Sequence, residues 1–432
     1  MCSCCSCAIQ TYAKSVFEAD FEFFDDSFVQ GAYFRDAADC KDIIATVTDD
    51  EHADDSTYEV LRGYSNFLDS TLSSTVVTRY DWLKLLIDKL GLKVETDLDY
   101  KYRHFVDKDY YDGTEYFVTA IENGILGRGG ITFDPYSPAT RQYVCYTYAN
   151  AVGYGDDFKL KCDDYIDIAY KPQVAAMVWL GYFELDSSDC FNPVEQVESE
   201  KVLELINELD ILSQLKGKTV MTFGDSIMHG VGKPHIGIAD YLSERYMMTA
   251  IDYSVGGATF GYHEGRSHIS KQIDKALKAE KTADIILLNG GTNDMRKVEC
   301  GEISDDFDYK EHGREYFAQG MEYAIGLLRD NYPDTPVLYI RAHDMMFSVQ
   351  RNEIHYGEMA LSICDKWDLP LVEVYKDTDF DTEDKDLRLE YTEKTGGKKQ
   401  GDSVHPNRLG YYKYYIPIIS EKMVDLMTLE ME

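Results

Sequence analysis

Three residues of this 432-residue chain combine types and spacing suited to acyl transfer: Ser226 in GDSIMHG, and Asp402 and His405 in GDSVHPN. A serine hydroxyl is a poor nucleophile at its own pKa and needs an adjacent base. Imidazole can take a proton from a hydroxyl and return it to a leaving group near neutral pH. A carboxylate three residues before a histidine reaches the ring within one turn. Gly257 in SVGGAT and Asn293 in LLNGGTND stand in two further short blocks. No metal-ligand constellation accompanies these residues, so neither a metal nor another cofactor is expected.

These residues need rigid elements to bring them together. Near residues 210–217 the helical NELDILSQLKG gives way to KTVMTFGDS, an apolar run that reads as a buried strand. Strand-like segments (TVMTFGDS, MTAIDYSVGG, ADIILLNGG, PVLYIRAHD, LPLVEVY) then alternate with amphipathic ones (HIGIADYLSERY, HISKQIDKALKAE, REYFAQGMEYAIGLLRDNY, NEIHYGEMALSICDKWD). The last segment, NRLGYYKYYIPIISEKMVDLM, reads as a closing helix. Near-continuous apolar strands between helices predict a parallel sheet covered on both faces. In such sheets, sites lie beyond the carboxyl ends of the strands. Ser226, Gly257 and Asn293 each follow a predicted strand, and Asp402 and His405 precede the final helix.

Taken in order, the blocks GDS, GGAT, GTND (Gly291–Asp294) and DSVH (Asp402–His405) resemble those of the SGNH hydrolases over about residues 215–432. The resemblance implies an α/β fold, a flavodoxin-like three-layer parallel sheet, and serine-dependent hydrolysis of carboxylic esters. It implies a catalytic triad of Ser226, His405 and Asp402, with the carboxylate fixing the imidazole tautomer. It also implies an oxyanion hole made of the backbone N–H of Ser226, the backbone N–H of Gly257 and the side-chain amide of Asn293. Relatives in that family range over carbohydrate deacetylases, lipases, lysophospholipases and thioesterases, so the acyl group stays open. Asp225 and Asp294 are read as structural, Asp294 supporting the Asn293 loop. Ser226 is expected to cap the helix that it opens. His229, His235, His263, His268 and His343 are read as surface or pocket-rim residues. The charged segment 376–400 is read as a solvated loop, with a rim of the active site as the alternative.

The first half is patterned differently. Helical stretches ending at Gly63, Gly124 and Gly181 are each followed by a loop containing a phenylalanine (Phe67, Phe133, Phe191) and a new helix start. Glycine ends a helix in the left-handed conformation at little steric cost, and Thr78 and Thr140 suit the N-caps that follow. With the F-x-P turns and the pairs Thr78-Arg79 and Thr140-Arg141, residues 20–212 resemble three S-layer homology repeats, a mainly α-helical domain. The third repeat departs, with Glu198-Ser199 in place of Thr-Arg. The resemblance implies a hold on cell-wall polysaccharide through Arg79 and Arg141, and hence a cell-surface or extracellular location. Retention as a scaffold is the alternative.

Composition narrows the partners. Acidic residues outnumber basic ones 78 to 43, a net charge of -35. Phosphate-rich partners are repelled by such a field, so nucleic acid and anionic membrane surfaces are not expected. No apolar run is long enough to span a bilayer as a helix. Residues 1–19, with the cluster Cys2, Cys4, Cys5 and Cys7, read as a disordered or processing segment, and no standard signal peptide is visible. The expected whole is an esterase acting on an acetylated glycan while tethered to the wall. A wall-binding module with a vestigial hydrolase is the reading of another class.

Overall fold

A computed structural model describes residues 77–96, 113–128, 132–232, 234–346, 353–394 and 400–429. The chain divides into two compact units, Met1–Asp210 and Ile211–Glu432. The cysteine cluster, Gly63 and Phe67 lie outside the described residues.

The first unit contains helices α1 (Arg79–Lys89), α2 (Thr114–Glu122), α3 (Arg141–Val152) and α4 (Lys171–Trp179). Helix α5 (Ser199–Leu215) begins in this unit and ends in the second. Trp82, Leu86, Phe117, Val144, Tyr148 and Met177 are buried in its core. Thr78 opens α1 with a reciprocal cap: its hydroxyl accepts from Asp81 N at 3.2 Å, and its own N–H donates to the Asp81 carboxylate at 3.1 Å. Thr140 stands at the matching place on α3, but its side chain makes no capping bond. Gly124 and Gly181 follow α2 and α4 with φ of +73° and +76°, the left-handed geometry their sequence positions suggested.

Two stretches of this unit repeat one geometry. Arg79 N donates to Ser137 O at 2.9 Å, and Arg141 N to Glu195 O at 2.8 Å. Tyr80 N reaches Pro135 O at 3.0 Å, as Gln142 N reaches Pro193 O at 3.2 Å. Ala139 N returns to Val77 O at 2.8 Å, as Val197 N returns to Ala139 O at 2.9 Å. Asp134 and Asn192, the middle residues of the two F-x-P turns, both take positive φ, +49° and +57°. Each turn therefore braces the start of the helix one repeat earlier. No third F-x-P follows Glu198-Ser199 in the sequence.

The second unit is a three-layer α/β sandwich. Its strands are β1 (Thr219–Phe223), β2 (Thr249–Asp252), β3 (Ile285–Asn289), β4 (Val337–Arg341) and β5 (Leu371–Glu373), all parallel in the order β2-β1-β3-β4-β5. Its helices are α6 (Ser226–His229), α7 (Ile238–Tyr246), α8 (Ile269–Lys278), α9 (Phe317–Asn331), α10 (Glu353–Lys366), α11 (Val374–Asp377), α12 (Lys385–Tyr391), α13 (Arg408–Gly410) and α14 (Ile416–Leu429). Helices α8, α9 and α10 pack in succession on one side, and α7 packs with α14 on the other. Central β3, IILLN, is buried along its whole length. Edge strand β2 is largely open, which is why its apolar signal is the weakest.

Two readings change here. Segment 376–400 is not a plain solvated loop: Phe380, Thr382 and Tyr391 are buried, and α12 lies within it. The final helix is interrupted by a π-type turn over Tyr411–Tyr415, which separates α13 from α14.

Candidate active site

Strand β1 delivers the chain into Gly224-Asp225-Ser226. A Cβ on Gly224 would lie 2.8 Å from Met228 Cβ and 3.0 Å from Asn289 O, so only glycine fits between them. The Gln272 amide on α8 clamps this glycine, accepting from Gly224 N at 2.9 Å and donating to Gly224 O at 2.8 Å. The cap of α6 is Asp225, not Ser226: its carboxylate accepts from Ile227 N at 2.9 Å. Ser226 is the first helical residue, and its hydroxyl is free for another partner.

That partner is His405, whose Nε2 lies 2.8 Å from Ser226 Oγ although 179 residues separate them in sequence. On the other side of the ring, Nδ1 is 3.2 Å from Asp402 Oδ2. A neutral imidazole carries one N–H, and an ionised carboxylate only accepts. The proton therefore belongs on Nδ1, which leaves Nε2 to accept from the serine hydroxyl. Asp402 is nearly buried and is fixed by its own turn, accepting from Val404 N at 2.8 Å and His405 N at 3.3 Å.

Segment 376–400 holds this turn in place. Asp402 N donates to Glu393 O at 2.7 Å, and Glu393 N donates to His405 O at 2.9 Å. The Thr382 hydroxyl donates to Ser403 O at 3.0 Å. Beneath the turn lies His343, which is fully buried rather than at a rim. Its Nδ1 is 2.7 Å from the Tyr415 hydroxyl, and its ring stacks on Phe380 at 4.3 Å. Burial pushes its imidazole down to about 3, so it is neutral at ordinary pH.

The turn after β2 brings Gly257 to the same end of the sheet, with φ of +79°. Among the described residues the backbone N–H groups of Ser226 and Gly257 make no hydrogen bond. One donor is on the serine itself and the other is on the loop whose Gly256 would set a Cβ 3.8 Å from Ser226 Cβ, the provision an oxyanion needs. Asn293 is differently disposed. Its Nδ2 donates to Ala258 O at 3.1 Å and to Asp225 Oδ2 at 3.3 Å. Both bonds are long, and the amide must release one of them to serve an oxyanion.

Two carboxyls lie under these loops. Burial pushes Asp225 up to about 6 against the opposing effect of its bond from Ile227 N. Burial likewise pushes Asp294 up to about 7, although it accepts from Gly261 N at 2.9 Å and Phe260 N at 3.1 Å. Asp294 thereby ties the β2 loop to the β3 loop.

The remaining histidines are scattered in role. His229 Nδ1 is 2.7 Å from Asp252 Oδ2, and its ring lies 4.7 Å from that of exposed His235. His263 is half-buried, and His268 is buried rather than peripheral, its Nε2 3.2 Å from His263 O. Among the described residues no three His, Cys, Asp or Glu side chains converge as metal ligands. Arg79 and Arg141 belong to the first unit. The Arg79 guanidinium lies 3.7 Å from the Asp134 carboxylate and 4.9 Å from the Tyr143 ring centre. Arg141 donates to Phe191 O at 2.8 Å and Glu184 O at 2.7 Å and lies over the Phe183 and Phe191 rings.

Sequence reasoning missed Gln272, Thr382 and Glu393 and placed His343 at a surface or pocket rim. Of these only His343 carried a signal, its place directly after β4 at the same end of the sheet as the other site residues.

Comparison with known proteins matches residues 222–413 to the GDSL-like Lipase/Acylhydrolase family. No curated protein sequence matches the chain. Similar solved structures include a protein from Lactobacillus plantarum, 19% identical with a TM-score of 0.38, covering 50% of this chain and 98% of that one. A carbohydrate acetylesterase from Sinorhizobium meliloti is 15% identical with a TM-score of 0.33, covering 48% of this chain and 99% of that one. An acetyl xylan esterase variant from Geobacillus stearothermophilus is 13% identical with a TM-score of 0.31, covering 49% and 96%.

Proposed function

We propose that the C-terminal half, whose residues 222–413 match the GDSL-like Lipase/Acylhydrolase family, works as an ester-bond hydrolase that removes a small acyl group, acetyl in the first instance, from a carbohydrate. The observation that carries the mechanism is the chain Ser226 Oγ–His405 Nε2 at 2.8 Å and His405 Nδ1–Asp402 Oδ2 at 3.2 Å. Ser226 Oγ attacks the ester carbonyl as His405 takes its proton, and the unused N–H groups of Ser226 and Gly257 receive the oxyanion. His405 returns the proton to the leaving alcohol, and water then releases the acid by the same route. The polar setting supports a sugar over a long acyl chain: Arg266 stands beside Gly257, and His229, the last residue of α6, pairs with Asp252.

Hydrolysis of p-nitrophenyl acetate against the octanoate ester, by the wild type and Ser226→Ala, tests this. Acetate turnover that vanishes in the variant is expected. A preference for octanoate moves the reading to a lipase or thioesterase, and turnover that survives Ser226→Ala removes the mechanism.

For the first unit we propose attachment to cell-wall polysaccharide, which would place the protein at the cell surface. The repeated bracing of the Arg79 and Arg141 helix starts by F-x-P turns supports repeats of S-layer homology type. An open groove of about 780 Å³, lined by Asp164, Asp167, Asn192, Pro193, Val194 and Glu195, adjoins the second turn and offers carboxylates to sugar hydroxyls. Sedimentation of the full chain with purified cell walls tests it. Binding that Arg79→Ala with Arg141→Ala leaves unchanged would remove those two residues from the contact.

A further inference from the structure

The corner of the site formed by the β2 and β3 loops is cationic. A Cβ on Gly257 would lie 2.5 Å from Arg266 Nη1, so this guanidinium occupies the space directly beside the Gly257 backbone. On the neighbouring turn of the same loop, a Cβ on Gly256 would lie 3.8 Å from Ser226 Cβ. One face of the loop thus meets the serine and the next meets the arginine. Arg296 and Lys297 come from the β3 loop, three and four residues after Asn293. Burial and the positive charges of Arg266 and Arg296 hold the Lys297 ammonium below its ordinary range.

Three cations that repel one another are costly to keep together unless an anion joins them. Acidic residues outnumber basic ones 78 to 43 in this chain. Even so, among the described residues none of the three side chains makes an ion pair or a hydrogen bond. Arg266 and Arg296 are exposed and Lys297 is half-buried, so an incoming group can reach them.

We propose that Arg266, supported by Arg296 and Lys297, receives an oxyanion carried by the substrate, a carboxylate or a phosphate on the alcohol half of the ester. This rests on the acetyl-ester reading: an acetyl group bears no charge, so the anion belongs to the alcohol. The substrate class is then an acetylated, negatively charged glycan. A planar guanidinium binds either group with two parallel hydrogen bonds. The local cations also offset the repulsion that a chain of charge -35 exerts on an anionic substrate.

The test compares kcat/KM on 4-acetoxybenzoate and 4-acetoxyphenyl phosphate with that on neutral methyl 4-acetoxybenzoate, for the wild type and Arg266→Gln, with Ser226→Ala as the blank. Dividing by the variant's own ratio removes the intrinsic reactivity of each ester. The wild-type preference for the anionic esters is expected to exceed that of Arg266→Gln by about tenfold, as for loss of a charge-assisted hydrogen bond, and to shrink with added salt. The faster of the two anionic esters identifies carboxylate or phosphate as the source. Equal preference in the two proteins overturns the proposal. So does an equal loss on charged and neutral esters, which would place the guanidinium on the reaction's own oxyanion. Absence of Ser226-dependent turnover of any ester overturns the acetyl-ester reading and this proposal with it, whereas turnover without charge preference overturns this proposal alone.

Discussion

The carboxylate of Asp225 accepts a hydrogen bond from Nδ2 of Asn293 at 3.3 Å. The residue that caps the helix of Ser226, the proposed nucleophile, therefore also holds the amide proposed to meet the oxyanion. In Asp225→Asn an NH2 group can face that amide, two donors opposed, and Asn293 turns away. A fall in kcat of about 100-fold is expected, the scale of losing one oxyanion donor, with KM little changed. Steady-state kinetics on p-nitrophenyl acetate checks it. A variant that loses KM instead would show Asp225 to be shaping the pocket.

Ser226→Ala and His405→Ala are each expected to lower kcat by about a thousandfold or more, and the double variant by no more than either alone, because the residues act as one unit. Thermal unfolding of Ser226→Ala should change little, since Ser226 Oγ bonds only to His405 among the described residues. Additive losses would show that the two side chains act separately.

Asp294 makes stability fall with rising pH. Its folded pKa, about 7, lies above the usual carboxylate value, so the folded state binds the proton more tightly. The stability this contributes is complete below about pH 4 and is lost as pH rises through 7. Asp294→Asn cannot ionise. It should be less stable than the wild type in acid, where it loses one backbone acceptor, and the gap should narrow between pH 4 and 7 by denaturant titration.

His343 acts in the opposite sense. Its folded pKa of about 3 lies below the ordinary histidine value, so its contribution is complete above about pH 6.5 and is lost as pH falls toward 3. His343→Gln should flatten the acid limb of the stability curve. It should also lower kcat, since the 402–405 turn rests on this ring. An unchanged acid limb would mean that His343 is protonated in the folded protein.

Arg141→Ala should destabilise the first unit by about 2–3 kcal/mol, because the carbonyls of Phe191 and Glu184 lose a charged donor. Lys, which lacks the planar fork, should recover only part of that. Unfolding monitored by tryptophan fluorescence would register it through Trp82, which is buried in this unit.

What the sequence disclosed depends on how local each signal was. The β3 run IILLN needs only its own five residues to read as a buried strand, and the site blocks are short and stand at strand ends. Burial of His343 was hidden because Phe380 and Tyr415, which enclose it, arrive from distant segments. Segment 376–400 misled because its many charges point outward while Phe380, Thr382 and Tyr391 point in, with no period to reveal it. Thr140 has the right residue type for a cap, yet the side-chain bond that realises it at Thr78 is missing. Arg266 approaches Gly257 through a loop fold that spacing does not encode.

The 179 positions from Ser226 to His405 also separate them in time. At synthesis rates of about 5–20 residues per second, the proposed base leaves the ribosome roughly 10–35 s after the proposed nucleophile. Until then the nascent chain carries an unactivated serine, and a transcript cut short before residue 402 encodes a sheet without its chemistry. A hydrolase of this build is silent throughout its own manufacture.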